Sequence, residues 1–243
     1  MLADARVGTS GFAYREWLGS VYPPEAEPSQ LLPMYAQRLS GVEIATLPAE
    51  QVEAWAASVP PSFQFAVKAP SRIGADLAAG KSASRALVPF LETAIRLGDA
   101  LGPVLIQVPG SRHADRHALG KFLASLPDGL RVAFEFKHPS WRDDATLRVL
   151  SAFDAALVLT DDGEGAPRID VTADFTYVRI RRDDDRPDAI EEWAERLGSL
   201  TRRGIDVYAF LKHDRRGAAV DRAMRLASLL RAESQFGEQA VLS

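Results

Sequence analysis

The stretch EFKHPSW places three chemically active side chains within four positions, namely Glu135, Lys137 and His138. Carboxylates and imidazoles are among the groups that most often transfer protons in enzymes. The stretch follows the apolar residues RVAF and stops at Pro139, so a strand that should enter a core ends in charges. We interpret Glu135 as a catalytic acid or base. His138 is either a proton shuttle or a loop residue whose ring hydrogen-bonds the backbone.

Basic side chains stand near the ends of other candidate strands. Lys68 is a catalytic candidate, since a barrel lysine with a lowered pKa can form a Schiff base, although anion binding is the alternative role. Arg179 and Arg181 lie two residues apart, and guanidinium groups bind carboxylates and phosphates through paired hydrogen bonds. The other candidates for substrate binding are Gln107, Lys137, Trp141, Asp161, Lys212, His213 and Tyr14. The two aromatic members could stack on a ligand ring or pack over the rim of a site.

The charge of these candidates is opposite in sign to that of the chain. The basic ones are Lys68, Lys137, Arg179, Arg181 and Lys212, and the acidic ones are Glu43, Glu135 and Asp161. They sum to about +2 if all meet in one concave site, which would focus a positive field on a ligand, whereas the whole chain carries −4. The sequence therefore predicts a small anionic ligand, such as a phosphorylated or carboxylated sugar-like molecule.

Composition excludes several other chemistries. The chain has no cysteine, so disulfides, thiolate nucleophiles and cysteine-based metal or iron–sulfur sites are ruled out. It contains no HExxH, GxSxG or phosphate-binding glycine loop. A metal site remains an alternative, with the candidate ligands Glu43, Glu135, His138, Asp161 and His213. Nearby cations would repel a divalent ion, so we predict neither a metal nor any other cofactor.

The pattern of the chain predicts the scaffold that would position these residues. Short apolar runs alternate with segments of helical period, which is typical of βα units around a parallel sheet. The candidate strands are residues 6–10, 42–45, 63–69, 103–108, 131–136, 156–161, 175–180 and 206–212. Eight such units predict one (β/α)₈ barrel over residues 1–243, with an open doubly wound sheet as the alternative. Residues 72–82 are interpreted as a loop.

Alternation along the strands assigns the side chains to two faces. Val132, Phe134 and Phe136 share one face that should meet the helices, which leaves Glu135 and Lys137 pointing into the barrel. The same argument points Lys68, Gln107, Asp161, Arg179 and Lys212 inward. Because each lies near the carboxyl end of its strand, and active sites of such barrels lie at that end, we expect one shared site.

No segment approaches the roughly 20 apolar residues that a membrane span needs, and the first residues do not resemble a secretion signal. We therefore expect a cytoplasmic protein without membrane partners. A negative chain does not favour nucleic acid as the partner. A non-catalytic module that binds a ligand or a nucleic acid is nevertheless the second hypothesis, beside a metal-independent enzyme. The sequence predicts no oligomeric state.

Several motifs resemble the YecE-like family, whose function is unknown. They are GTSGFAYREWLGSVYP, FAVKAPSRI, GPVLIQVPGS, FEFKHPSW, TADFTYVRIR and VYAFLKHDRRGAAVDRA, in this order and over nearly the whole chain. The most specific is Glu135 to Trp141, supported by Gly8 to Gly11. The resemblance implies a TIM-like barrel and supplies no reaction.

The sequence departs from the usual pattern of that family at three places. Ala45 stands where the family has an asparagine, and Ala75 stands where a histidine follows the strand of Lys68. Arg181-Arg182 replaces a His-Gly pair. If those histidines serve catalysis in other members, this chain has lost or changed that chemistry.

Overall fold

The structure is a computed structural model that describes residues 3–161, 167–182, 186 and 188–241, with side chains up to residue 232. Its eight strands are β1 (Ala5–Thr9), β2 (Gly41–Ile44), β3 (Gln64–Lys68), β4 (Leu101–Val108), β5 (Val132–Phe136), β6 (Ala156–Asp161), β7 (Phe175–Ile180) and β8 (Asp206–Leu211). All eight pair in parallel in the order β1-β8-β7-β6-β5-β4-β3-β2. The strand positions predicted from the sequence are correct to within two residues at each end.

Helices connect the strands on the outside of the sheet. They are α1 (Pro28–Ala36), α2 (Val52–Ala57), α3 (Ser71–Ala78), α4 (Leu87–Ala94), α5 (Arg116–Leu123), α6 (Asp144–Ala152), α7 (Ala189–Thr201) and α8 (Ala218–Val241). Short 3₁₀ helices span Arg15–Trp17, Ile95–Ala100 and Pro139–Trp141. In the described residues, two α-helices separate β3 from β4 and none separates β6 from β7. The (β/α)₈ barrel predicted from the sequence is confirmed.

The interpretation of residues 72–82 as a loop is wrong, because most of this stretch forms α3. Ile73 and Leu77 lie one turn apart on the buried face of the helix, fully shielded from solvent. Gly74 lies against the backbone of β4, where an added Cβ would be 1.8 Å from the carbonyl oxygen of Gln107. The small residues of the segment, which resemble loop composition, are therefore what allows the helix to approach the strand.

The sheet closes between β1 and β2 through side chains and one bridge rather than a regular ladder. Ser10 and Glu43 form an isolated parallel bridge at the upper end of this seam. Below it, the hydroxyl of Tyr35 on α1 accepts a hydrogen bond from the Thr9 amide (2.8 Å) and donates one to the Gly41 carbonyl (3.2 Å). A buried tyrosine thus satisfies backbone groups that a ladder would otherwise pair.

The barrel has an apolar interior and an apolar shell under the helices. The interior cluster contains Ala133 on β5 and the aromatic residues Phe175, Tyr177, Tyr208 and Phe210. Val132, Phe134 and Phe136 belong instead to a cluster with the helices, which is the alternation predicted from the sequence. Alanines on β3, β5 and β6 leave room inside for the aromatic rings of β7 and β8, so the barrel is filled rather than hollow.

The amino-terminal end of the barrel is shut by a polar plug. Arg131 donates a hydrogen bond to the hydroxyl of Tyr208 (3.0 Å) and forms ion pairs with Asp174 and Asp206. Its guanidinium lies over the rings of Phe175 and Tyr208. The predicted site residues therefore stand at the opposite, open end of the barrel, at the carboxyl ends of the strands.

None of the helices in the described ranges is both long and apolar enough to cross a bilayer. The cytoplasmic location inferred from the sequence stays a prediction.

Candidate functional site

The carboxyl ends of six strands surround a cavity of about 530 Å³, which we call the mouth cavity. It is lined by Lys68, Gln107, Glu135, Lys137, Thr160, Arg179, Arg181, Arg182 and Lys212. Seven of these nine residues are among the site candidates taken from the sequence. The structure therefore brings most of the predicted residues to one place, while their roles stay predictions.

Glu135 is the hub of the mouth cavity and only 3% of it is exposed. Its Oε2 accepts hydrogen bonds from Gln107 Nε2 and from Arg179 Nη1, each at 2.5 Å. Its Oε1 accepts from the ammonium of Lys137 and, at 3.3 Å, from the hydroxyl of Thr160. Both oxygens of this carboxylate are thus occupied by donors from the neighbouring strands.

These neighbours determine the protonation of Glu135. Burial raises its pKa, but the charge of Arg179 and the hydrogen bonds from Gln107 and Lys137 together outweigh burial, so the net pKa is lowered. The group is therefore a carboxylate at neutral pH. It is unsuited to deliver a proton as a general acid, and a role as a base requires that one donor leaves it.

A second carboxylate, Glu43, lies beneath Arg179 and is 5% exposed. Arg179 donates to it from Nη2 at 2.9 Å, and Tyr177 and Ser10 each donate at 2.9 Å. Burial, and then the charge of Glu43, raise the pKa of Tyr177 well above its usual value, so its hydroxyl stays protonated and donates. Arg179 therefore bridges two buried carboxylates, with one terminal nitrogen hydrogen-bonded to each.

The cations nearer the opening are more accessible. Lys137 has half of its side chain exposed, and Arg181 has a quarter exposed while contacting Glu43 at 3.3 Å. The side chain of Lys68 is half-buried and, in the described part of the chain, has no hydrogen-bond or ion-pair partner. Of the described residues that line the mouth cavity, six are basic and one is acidic, a formal charge of +5. The sequence count of +2 refers to another set, because it includes Glu43 and Asp161, which do not line this cavity.

Arg182 is a lining residue that the sequence argument missed. The amides of Arg181 and Arg182 both donate to the carbonyl of Asp161, at 3.0 and 2.9 Å. Two consecutive side chains therefore lie at the opening, whereas the alternation of side chains along a regular strand would place only one of them there. Both arginines stand where the YecE-like pattern has a His-Gly pair, so the departure from that pattern adds charge to the mouth.

The inward orientation predicted for Asp161 is wrong. On β6 the residues that face the interior are Ala156, Val158 and Thr160, whereas Leu159 packs in the outer cluster. Asp161 therefore shares the outward face of Leu159, is 2% exposed, and lies 3.5 Å from Arg182. It lines a second cavity of about 610 Å³, which we call the wall cavity because it lies beside β5 and β6.

His138 lies away from the mouth cavity. Its ring Nδ1 accepts a hydrogen bond from the Ser140 amide (3.1 Å) and lies 2.9 Å from the Ser140 hydroxyl. The His138 side chain thereby caps the short helix that begins at Pro139. Its ring contacts that of His113, with centroids 4.5 Å apart. These contacts match the alternative of a loop histidine that bonds to the backbone. The role of proton shuttle stays a prediction.

The aromatic candidates also have structural contacts. Trp141 is 1% exposed and stacks on Phe136 at 4.3 Å between centroids. Tyr14 stacks on His213 at 4.1 Å with ring planes 6° apart, and neither ring lines the mouth cavity. Burial, followed by the charges of Glu16 and Glu43, raises the pKa of Tyr14. Trp141 borders the wall cavity, so it is the aromatic candidate that the structure leaves next to open space.

The metal alternative is not supported by the arrangement of its candidate ligands. Among the residues that the structure describes, no three histidine or acidic side chains stand close enough together to hold a metal ion. Glu43 and Glu135 are instead held by Arg179 between them. The absence of a cofactor stays a prediction.

Comparison with known proteins gives the family. The pattern described as "Protein of unknown function DUF72" matches residues 6–241. A DUF72 family protein from Thermotoga maritima is 26% identical, with a TM-score of 0.77, and the match covers 94% of this chain and 99% of that one. A DUF72 family protein from Enterococcus faecalis is 20% identical, with a TM-score of 0.72 over 94% and 98% of the two chains, which shows the fold alone. No curated protein matches.

The matched region contains every motif on which the resemblance to the YecE-like family depends, from GTSG at residue 8 to the last helix. The resemblance is therefore confirmed. The chain belongs to the DUF72 family, which is the YecE-like family, and its members have no established function.

Proposed function

We propose that the protein binds a small organic anion in the mouth cavity and acts on it as a metal-independent enzyme, with Glu135 as general base. The lining carries the proposal: of the described residues around the cavity, six are basic and one is acidic, in a chain of net charge −4. A concave site with walls of low dielectric concentrates such a field, which attracts anions and orients them.

The positions of the cations around the barrel support an anion held from two sides. Lys68 ends β3, and Arg181 follows β7, four strands away in a ring of eight. An anion between them would receive charge-assisted hydrogen bonds from opposite walls. The side chain of Lys68 has no partner in the described residues, so an anion would supply a counter-charge that none of these residues provides there.

Lys137 would link binding to chemistry. It is the most exposed of the donors to Glu135, and its ammonium can turn toward a bound anion. Oε1 would then keep only the longer hydrogen bond from Thr160. Because Lys137 lowers the pKa of Glu135, its departure would raise that pKa and free an oxygen to accept a proton from the ligand.

The first test is anion binding. We expect inorganic phosphate to bind saturably in titration calorimetry, and Lys68→Ala and Lys212→Ala to weaken binding about tenfold each, because each removes a charge-assisted hydrogen bond. The matched control is Arg225→Ala, since Arg225 lies on α8 in an exposed pair with Glu191. Equal affinities in all four proteins at constant ionic strength would show that phosphate acts as a general salt.

The second test concerns Glu135→Gln. The replacement removes the only acidic group among the described residues of the lining, so we expect phosphate to bind as tightly as in the wild type or a few-fold tighter. Organic anions that bind would be followed by NMR for conversion. The proposal expects wild-type protein to convert at least one of them and Glu135→Gln to bind it without conversion. Equal conversion by both proteins would contradict the role of Glu135.

A second candidate function is a ligand-binding module without chemistry. It is favoured by one observation, that all four hydrogen bonds to Glu135 come from the protein itself. Such a saturated carboxylate also suits an ion-pair network that only shapes the mouth. Binding of organic anions without conversion of any of them would favour this function. A gel-shift experiment with single- and double-stranded DNA would test whether the bound anion is a nucleic acid.

A further inference from the structure

The barrel wall is open between β5 and β6. Their ladder ends at the pair Phe134 and Leu157, although both strands continue. On either side the neighbouring ladders continue to the strand ends, at Phe136 on the β4 side and at Asp161 on the β7 side. The last two residues of β5 and the last four of β6 therefore face each other without pairing. An unpaired edge leaves backbone donors and acceptors that water or a ligand must satisfy.

The wall cavity lies at this opening. Its lining includes inward residues of the two strands, such as Glu135 and Thr160, together with outward ones, such as Phe136 and Leu159. A space at the unpaired edge between the two strands accounts for contact with residues of both faces. The cavity therefore leads from the inside of the barrel toward α6 and the segment at residues 167–170.

The mouth cavity and the wall cavity are neighbours with different linings. They share Glu135, Lys137 and Thr160, so Glu135 stands at their junction. Of the 17 described residues around the wall cavity, eight are apolar, five are acidic and three are basic. The charge thus changes from +5 in the mouth to −2 in the wall. A ligand that extends across both would meet a site for an anion and then a site that rejects one.

We propose that the ligand is an organic anion with its charge at one end and an uncharged body of about one ring, and that this body lies in the wall cavity. The inference rests on the proposed anion site and adds the class of molecule that it takes. The half-buried side chains Leu147, Leu157 and Ile169 would contact the body. The excess of carboxylates there excludes a second anionic group. The bond nearest the charged end would lie beside Glu135.

The test compares three ligands by titration calorimetry: inorganic phosphate, phenyl phosphate, and phenyl phosphate with a carboxylate in the para position. We expect phenyl phosphate to bind wild-type protein at least about tenfold more tightly than inorganic phosphate, because its ring leaves water for an apolar wall. The para carboxylate should remove this gain. Leu147→Trp and Ile169→Trp should each place an indole ring where the phenyl ring would lie, so phenyl phosphate would bind these variants with the affinity of inorganic phosphate.

The matched control is Arg148→Trp, the next residue on α6, which is exposed and does not line the wall cavity. Arg148→Trp should still bind phenyl phosphate more tightly than inorganic phosphate. Equal binding of inorganic and phenyl phosphate by the wild type would overturn the inference and leave the anion site standing. A gain that persists in both Leu147→Trp and Ile169→Trp would overturn it as well. Failure of the proposed function would give a different result: inorganic phosphate would not bind, or it would bind wild-type protein and Lys212→Ala with the same affinity.

Discussion

Replacing Arg179 by methionine is expected to lower the free energy of unfolding by about 3 to 5 kcal/mol. The guanidinium lies between two carboxylates that are each no more than 5% exposed, and removing it leaves their charges buried without their shared cation. Methionine retains much of the apolar stem, so packing changes less than charge. Chemical denaturation at neutral pH would measure the loss.

The pH dependence of this effect has a definite sign. In the wild type the folded pKa of Glu135 lies below its usual value, so this group contributes stability that is present above about pH 4.3 and is lost as the pH falls through the folded pKa. Without Arg179 the pKa of Glu135 rises, because burial then faces fewer opposing interactions. Protonation removes the buried charge, so the difference between wild type and Arg179→Met should narrow as the pH falls.

Two further variants separate this mechanism from a simple loss of contacts. Arg225→Met breaks an exposed pair with Glu191 and should cost no more than about 1 kcal/mol. Adding Glu43→Gln and Glu135→Gln to Arg179→Met should restore part of the lost stability, because both carboxylates that Arg179 held are then neutral amides. If Arg179→Met lowered the free energy of unfolding as little as Arg225→Met does, the two carboxylates would have to be solvated in the folded protein.

The sequence was sufficient for the barrel and for most of the mouth because both depend on local regularities. Parallel strands alternate with helices, and a period of two assigns faces once a run of large apolar residues identifies the outer one. On β5 the residues Val132, Phe134 and Phe136 did so clearly. Glu135 was placed at the mouth by this argument alone, and Lys68 and Gln107 followed from the same rule on β3 and β4.

The rule fails where both faces of a strand are apolar, as on β6. Leu157 and Leu159 face outward there, while Ala156 and Val158 face the interior. The sequence argument took the polar residue at the strand end to be inward and so assigned Asp161 to the wrong face. Strands buried on both sides have no polar face to fix the alternation. The smaller side chains of Ala156 and Val158 were the signal that could have identified the inner face, because large rings from β7 and β8 already fill the interior.

Other features depend on contacts that no local pattern contains. The position of Arg182 follows from a shared hydrogen-bond acceptor on the neighbouring strand, after alternation has ended. The role of His138 in capping depends on Ser140, and the spacing alone does not distinguish it from a catalytic group. The wall cavity exists because one ladder stops before its strands do. Ladder length is a property of two distant segments and cannot be inferred from either one.

The GTSG motif has a structural role at the seam between β1 and β2. Gly8 packs against the backbone of Gly41, and Tyr35 fills the space beside them. Ser10 then donates to Glu43, the carboxylate beneath Arg179. The motif therefore sets the distance between two strands that have no regular ladder, and it connects that distance to the charged network of the mouth.

Gly8→Ala is expected to destabilise the protein by at least about 3 kcal/mol. The added Cβ would lie 1.8 Å from the carbonyl oxygen of Gly41 and 2.8 Å from the hydroxyl of Tyr35. A flexible side chain could move aside, but a strand backbone cannot, so the cost should be at or above the usual 1 to 3 kcal/mol of overpacking. The strands must separate, which also lengthens the contact between Ser10 and Glu43. Urea denaturation measures the loss of stability.

The matched control for Gly8→Ala is Gly120→Ala on α5. The nearest heavy atom to a Cβ at that position is a methyl group of Val149 at 4.0 Å, an ordinary contact. Because alanine favours a helix more than glycine does, this variant should be neutral or more stable by up to about 1 kcal/mol. If Gly8→Ala were as stable as Gly120→Ala, β1 and β2 would have to lie farther apart in solution. The close approach at Gly8 would then not be what holds Glu43 beneath the mouth.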